Sequence, residues 1–134
     1  MSDFIPMPSD FEDIKEPEPV AGGMFALRIA AAELKTNEDG SNKVSKNGEM
    51  MFNIRIEFED YPDNPALWHN LIMPNDNSKP FTKVMTKKFL EIFGVDPYTI
   101  DKEATCFIGM SSPDVKVKYV AASGEYRHKN EIDM

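Results

Sequence analysis

The stretch ALWHNLIMPNDNSKPFTKVMTKKFLEIFG, residues 66–94, decides the fold of this chain. Its first part, residues 66–73, has the length and composition of a strand and stops at a proline. Ser78 then stands where a helix cap is expected, Pro80 is tolerated in a first helical turn, and Gly94 marks the helix end. The stretch therefore predicts a strand followed directly by one helix.

The predicted helix has an apolar side and a charged side. Its apolar residues recur at spacings of three and four, which places them on one stripe that can pack on a sheet. They are Phe81, Val84, Met85, Phe89, Ile92 and Phe93. The lysines on the other side, Lys79, Lys83, Lys87 and Lys88, are typical of a solvated helix face.

Strands are predicted on both sides of this helix, because apolar and polar side chains alternate there. The predicted strands cover residues 24–34, 50–59, 66–73, 104–110 and 126–132. Residues 115–121 alternate again after Pro113, which marks a break or bulge, so two or three strands follow the helix. The clearest is the second, with Phe52, Ile54, Ile56 and Phe58 facing inward. In the first, the inward residues are Phe25, Leu27, Ile29 and Ala31.

This order predicts a mainly β fold, an OB-like five-stranded barrel with one helix between strands three and four. A ferredoxin-like order needs a second helix, and the sequence predicts none. An all-β sandwich would leave the helix unexplained. The 134 residues, 41% hydrophobic and 28% charged, are typical of one globular domain.

The net charge of −8 is divided unevenly. Residues 1–19 hold six acids, one lysine and four prolines, a net of −5, and are predicted to form a flexible acidic arm. Residues 20–134, the predicted folded domain, carry only −3. The acidity of the whole chain argues against a nucleic-acid partner, but most of that acidity lies in the arm.

Targeting and redox features point to the inside of a cell. No stretch approaches the ~20 apolar residues of a transmembrane helix, and no apolar signal segment opens the chain, so we expect no membrane partner. The single cysteine, Cys106, excludes an internal disulfide and a cysteine-cluster metal site.

Catalytic motifs are absent from the sequence. There is no nucleophile elbow, no phosphate-binding glycine loop and no metalloprotease motif. His69 and His128 have no histidine or cysteine neighbour at ligand spacing. Glu57, Glu59 and Asp60 are typical of a solvated strand end. We therefore expect no enzyme, no cofactor and no metal.

Binding features are stronger and centre on the last hairpin. Residues 115–130 hold four bases and one acid, and bases beside aromatic rings suit single-stranded nucleic acid. An ordinary solvated hairpin with Tyr119 packed inward is the alternative. The basic loop at residues 35–49 is expected on the same side. The candidate nucleic-acid-binding residues are Arg28, Lys35, Lys43, Lys46, Arg55, Trp68, Lys116, Lys118, Tyr119, Tyr126, Arg127 and Lys129.

Trp68 has two interpretations. Alternation along its strand places Trp68, Asn70 and Ile72 on one face and Leu67, His69 and Leu71 on the other. A single tryptophan is commonly half-buried packing. In an OB-like barrel, however, strand three borders the binding groove, where a tryptophan can stack on a base.

Five segments resemble a family of small bacteriophage proteins. They are EPVAGGMF (18–25), ELKT (33–36), KNGEMMF (46–52), LWHNL (67–71) and KFLEIFGV (88–95). The resemblance spans residues 18–132. It implies an OB-fold protein that binds single-stranded DNA with little sequence preference during phage replication or recombination. It also implies the cytoplasm of an infected bacterial host as the location.

One departure concerns the acidic tail that many single-stranded-DNA-binding proteins carry at their C-terminus. This chain ends in the mixed run KNEIDM, so we hypothesise that residues 1–19 take that role and contact phage replication or recombination proteins. Deleting them should then tighten DNA binding at low salt; unchanged affinity would contradict the hypothesis. The alternative function is a structural or adaptor domain that binds another phage protein. Pairing through an edge strand leaves a homo-oligomer open.

Overall fold

The computed structural model describes residues 4–9, 12 and 18–134. The predicted acidic arm, residues 1–19, therefore lies largely outside the described residues. Five strands and one α-helix make up the domain, together with two short 3-10 turns at Pro97–Thr99 and Thr105–Phe107. The elements are β1 Gly23–Leu34, β2 Met51–Phe58, β3 Leu67–Ile72, α1 Pro80–Phe93, β4 Ser111–Val120 and β5 Lys129–Ile132.

The strands form one antiparallel sheet in the order β3-β2-β1-β4-β5. The sheet curls so that its two outer strands, β3 and β5, approach each other without forming a ladder. The result is a nearly closed five-stranded barrel, with α1 between β3 and β4 in the chain. This confirms the predicted mainly β, OB-like layout.

The core forms where alternation directs apolar side chains inward. On β2, all four predicted inward residues, Phe52, Ile54, Ile56 and Phe58, are buried. On β1, a register shift between Ile29 and Ala31 inserts an extra residue into the pairing with β2. Because of this bulge, Ala32 and Leu34 turn inward and Ala31 is exposed, so the prediction of Ala31 as an inward residue is wrong.

The predicted fourth strand, residues 104–110, is also wrong. Asp101 accepts hydrogen bonds from the backbone N–H groups of Glu103 and Ala104, at 3.1 and 3.0 Å, and turns the chain there. A 3-10 turn follows, and its buried Phe107 packs on Phe52 with ring centroids 5.6 Å apart. These apolar residues pack into the core from a turn and not from a strand, and β4 begins only at Ser111.

The helix ends as predicted, with Gly94 in the left-handed conformation at φ 66°. Its start differs, since Lys79 is the N-cap residue and no side chain caps the helix, so the prediction of a Ser78 cap is wrong. The buried face consists of Thr86, Phe89, Leu90 and Phe93. Phe81 and Val84 are exposed, so the predicted stripe reaches the core only through its later residues.

Candidate nucleic-acid interface

Trp68 lies on the outer face of β3 and is 58% exposed. Arg55 on β2 is its direct partner across the strands. The Arg55 guanidinium lies 3.5 Å from Glu57, whose other carboxylate oxygen is 3.4 Å from Arg28 on β1. The outer face of β1, β2 and β3 thus presents an exposed indole beside two arginines that share one carboxylate.

A second group of cations lies on the outer face of β4 and β5. Here too, one carboxylate lies between two basic side chains. Glu131 lies between two lysines, 3.0 Å from Lys129 and 3.9 Å from Lys118. Lys116 pairs separately with Asp133 at 3.4 Å. Pairs of this kind at an exposed surface contribute little to stability, so a phosphate can compete for the lysines.

The pairing of β4 with β5 brings acidic side chains next to the hairpin lysines. Residues 115–130 alone carry a net of +3, but Glu131 and Asp133 contact the lysines directly. Over residues 115–133, four bases face three acids, a net of +1. The hairpin is therefore much less cationic than its sequence window suggests.

A cavity of about 350 Å³ lies between the outer edges of β3 and β5, a gap that we call the seam. Trp68 and Asn70 line it from β3, and Lys129 and Glu131 from β5. Lys118 completes the polar rim. The seam thus joins Trp68 to the lysines of the second cationic group.

The two tyrosines of the hairpin are separated from these lysines. Tyr119 lies on the opposite face of β4 from Lys118, and its hydroxyl is 2.8 Å from Nδ1 of His128. Tyr126 is exposed in the turn between β4 and β5. Arg127 lines a shallow pocket with Pro65 at the start of β3. Tyr119 therefore is neither a core residue nor a member of the cationic face.

The basic loop, residues 35–49, lies at the other end of the strands. The basic loop follows the end of β1. The β4–β5 hairpin lies near the start of β1, where Gly23 pairs with β4. Along a strand, 12 residues span roughly 35–40 Å. The expectation that loop and hairpin share one side is therefore wrong; they bound the outer face of β2 and β3 from opposite ends. The three lysines of the basic loop, Lys35, Lys43 and Lys46, lie at the end of the strands opposite the hairpin.

The loop is held by a buried carboxylate that sequence analysis missed. Glu49 is only 3% exposed and accepts hydrogen bonds from the hydroxyls of Ser45 (2.7 Å) and Ser78 (2.5 Å). These two bonds lower the pKa of Glu49 below its ordinary value. A glutamate in a polar loop carries no sequence signal for burial, because the partner hydroxyl of Ser78 comes from a distant connection.

The hairpin end is held by a buried amide. Asn130 is 6% exposed, and its side chain accepts a hydrogen bond from Val20 N–H (3.0 Å) and donates one to Val20 C=O (2.8 Å). The start of the domain is thereby fastened to β5. Asn130 falls within the predicted last strand, residues 126–132, and the sequence pattern does not indicate this contact.

Two further titratable side chains, His69 and Cys106, are partly buried, and His69 also lines the seam cavity. The His69 ring stacks on Phe89 with centroids 4.4 Å apart, and burial lowers the pKa of His69 to about 4. Burial raises the pKa of the Cys106 thiol. Among residues 4–9, 12 and 18–134, no group of three His, Cys, Asp or Glu side chains is arranged to hold a metal ion. In the same part of the chain, every helix is too short or too polar to cross a membrane.

No protein-family model matches the chain, and no curated protein matches it.

Proposed function

We propose that this protein binds single-stranded DNA, without strong sequence specificity, on the outer face of β2 and β3 and along the seam. The observation that carries the proposal is Trp68, which is 58% exposed at the centre of this face. Arg55 stands beside it on β2, and Lys118 and Lys129 line the same cavity as its indole. Stacking on the ring and contacts to phosphate are the two interactions that such binding uses.

The charges of the face support modest, salt-sensitive affinity. Each stacked base contributes ~1–3 kcal/mol, so a few stacked bases can offset a weak overall field. The cations Arg28, Arg55, Lys116, Lys118 and Lys129 are each paired with an acid. A DNA phosphate must therefore either displace the acids from these cations or bind the cations alongside the acids. Binding should also release counterions and weaken as salt rises.

The biological role follows from the resemblance to phage proteins. We infer that the protein protects or organises exposed single strands during phage replication or recombination, in the cytoplasm of an infected bacterium. The segments that carry this resemblance include LWHNL at residues 67–71, which contains the exposed tryptophan.

The test is a titration with a labelled, mixed-sequence single-stranded oligonucleotide at two salt concentrations, read by anisotropy. Trp68 is the only tryptophan, so quenching of intrinsic fluorescence reports contact at this face in the same experiment. Replacing Trp68 by Ala should weaken binding about tenfold, since one stacking platform is lost. Tyr98→Ala, which removes an even more exposed aromatic ring elsewhere, should leave affinity unchanged.

Two results would contradict the proposal. One is the absence of binding at low salt, and the other is stronger binding to duplex than to single strands. An unchanged affinity in folded Trp68→Ala would remove Trp68 from the interface.

A second candidate function is an adaptor domain, favoured by the apolar surface around α1. Phe81 is 73% and Tyr98 96% exposed. A groove of about 550 Å³ lies between Leu90, Val95 and Tyr98. If a phage protein binds here, Phe81→Ser and Tyr98→Ser should abolish that association while DNA affinity stays constant. Loss of DNA affinity in both variants would refute separate surfaces.

A further inference from the structure

The seam between β3 and β5 is the one line along which the barrel leaves strand edges unpaired within the described residues. Met73 donates its backbone N–H to Met50 on the β2 side. Backbone groups alternate in direction along an antiparallel strand. The N–H and C=O groups of Trp68 and Asn70 therefore point away from β2, toward β5.

The same alternation applies to β5. Asp133 donates its backbone N–H to Lys116 on the β4 side, at 2.8 Å. Asn130 and Ile132 therefore direct their backbone groups away from β4, toward β3. Polar backbone groups consequently face the cavity from both rims.

The width of the seam limits what can enter it. Cα atoms of β3 and β5 approach within 8 Å of each other. Inserting a peptide strand between two strands needs roughly twice the 4.8 Å spacing, or about 9.6 Å. A peptide therefore cannot add as a strand here, whereas the edge of a flat aromatic ring, stacked on Trp68, can enter.

Two side chains in the cavity can read the polar edge of such a ring. The Asn70 amide carries both donors and an acceptor. Glu131 lies between Lys129 (3.0 Å) and Lys118 (3.9 Å), so its carboxylate is held by two ammonium groups at the rim of the cavity. An ionised carboxylate only accepts hydrogen bonds. The cavity thus presents a fixed acceptor beside a stacking surface.

We propose that the seam is a base-reading site, in which Glu131 favours bases that carry an exocyclic amino group over thymine. The inference rests on the proposed function and specifies one subsite of it. A carboxylate accepts the amino protons of cytosine N4. Thymine presents a carbonyl oxygen at the same position, and two acceptors facing each other repel. Lys118 and Lys129 then hold the phosphate of the bound nucleotide.

Cytosine and thymine have rings of equal size, so they test the proposal directly. Oligo-dC and oligo-dT of about 15 nucleotides, the upper site size of an OB fold, are titrated at mildly alkaline pH, where cytosine is unprotonated. The expected result is binding of oligo-dC about tenfold tighter than oligo-dT, as one good base contact provides. Fluorescence of Trp68 locates both complexes at the seam.

A matched pair of charge-removing variants separates base reading from general electrostatics. Glu131→Gln and Asp133→Asn each remove one negative charge next to a hairpin lysine, but only Glu131 lines the cavity. Both should raise overall affinity. Glu131→Gln should abolish the preference for oligo-dC, and Asp133→Asn should retain it.

The outcomes distinguish this inference from the proposed function. Equal affinity of the native protein for the two oligonucleotides, with Trp68→Ala still weakening both, overturns base reading and leaves strand binding in place. A preference for oligo-dC that survives in Glu131→Gln also overturns it. Failure of every single strand to bind at low salt overturns both.

Discussion

The two ends of the barrel are fastened by different chemistry. At the loop end, residues 35–50 are held to the connection before α1 by the buried carboxylate of Glu49, which accepts from Ser45 and Ser78. At the hairpin end, the neutral amide of Asn130 holds Val20 by two hydrogen bonds. Each fastening positions candidate DNA-binding cations, yet only the first carries a charge.

This difference means that the two ends respond differently to acid. A carboxylate with a lowered pKa stabilises the fold above its ordinary value near 4.5, and this stability is lost as the pH falls through the lowered pKa. An amide does not titrate. Acid should therefore release the loop end while the hairpin end stays fastened.

The largest expected effect comes from breaking the hairpin end. Asn130→Ala removes both bonds to Val20 and leaves backbone groups without partners, which should lower the free energy of unfolding by about 2 kcal/mol. Urea unfolding at neutral pH measures the change. Asn70→Ala, an exposed asparagine on β3, is the control and should change stability little. Equal losses in the two variants would show that the Val20 contact is not stabilising.

A smaller effect is expected at the loop end. Glu49→Gln keeps the shape of the side chain but removes the charge, so it should lower the melting temperature modestly at neutral pH. Below pH 4.5 the unfolded chain takes up a proton at Glu49 before the native carboxylate does, so the difference between the two proteins should shrink. Glu59→Gln, an exposed carboxylate after β2, serves as the control. A difference that stays constant with pH would contradict the role of the charge.

The smallest effect at neutral pH is expected for His69, which lies between the two ends. Burial lowers its pKa from 6.5 to about 4, so the unfolded chain takes up a proton first. Stability should fall as the pH drops from 6.5 to about 4. His69→Phe keeps a ring against Phe89 and should flatten this window in a series of melting curves. His128→Asn should leave the window in place; a window that persists in His69→Phe would refute the assignment.

The sequence predicts the elements in which local pattern and final burial agree. β2 alternates from Met51 to Phe58 without interruption, and every predicted inward residue is buried. The helix end is equally local, because Gly94 adopts a left-handed conformation that most residues resist. The order of these elements was sufficient to predict the OB-like layout.

Other elements depend on contacts that no sequence window contains. The turn at residues 105–107 is as apolar as a strand, but Phe107 is needed as a plug against Phe52. In the same way, the bulge in β1 reverses which alanine faces inward. Phe81 matches the helical period and is still exposed, since the helix buries only Thr86, Phe89, Leu90 and Phe93.

In the candidate site, too, some features follow from local sequence and others only from tertiary contacts. Outward placement of Arg55, Lys116 and Lys118 follows from the period of two along their strands, and the sequence predicts it. For Trp68 the same period leaves packing and exposure open, and the structure shows it exposed. The positions of the acids that pair with these cations do not follow from the period of two, since Glu131 contacts Lys118 only through the pairing of β4 with β5. The seam is further removed from sequence, as it joins β3 to β5 through closure of the barrel.

The alternation along the strands, the one helix and the outward placement of the cations follow from local sequence. These depend on backbone periods of 2 and 3.6 residues and on the conformational limits of glycine and proline. Three other features come from the tertiary fold: which cations are paired with acids, which glutamate is buried and where the barrel stays open. Those features arise from contacts between residues far apart in the chain, whose distances are set by strand register and barrel closure.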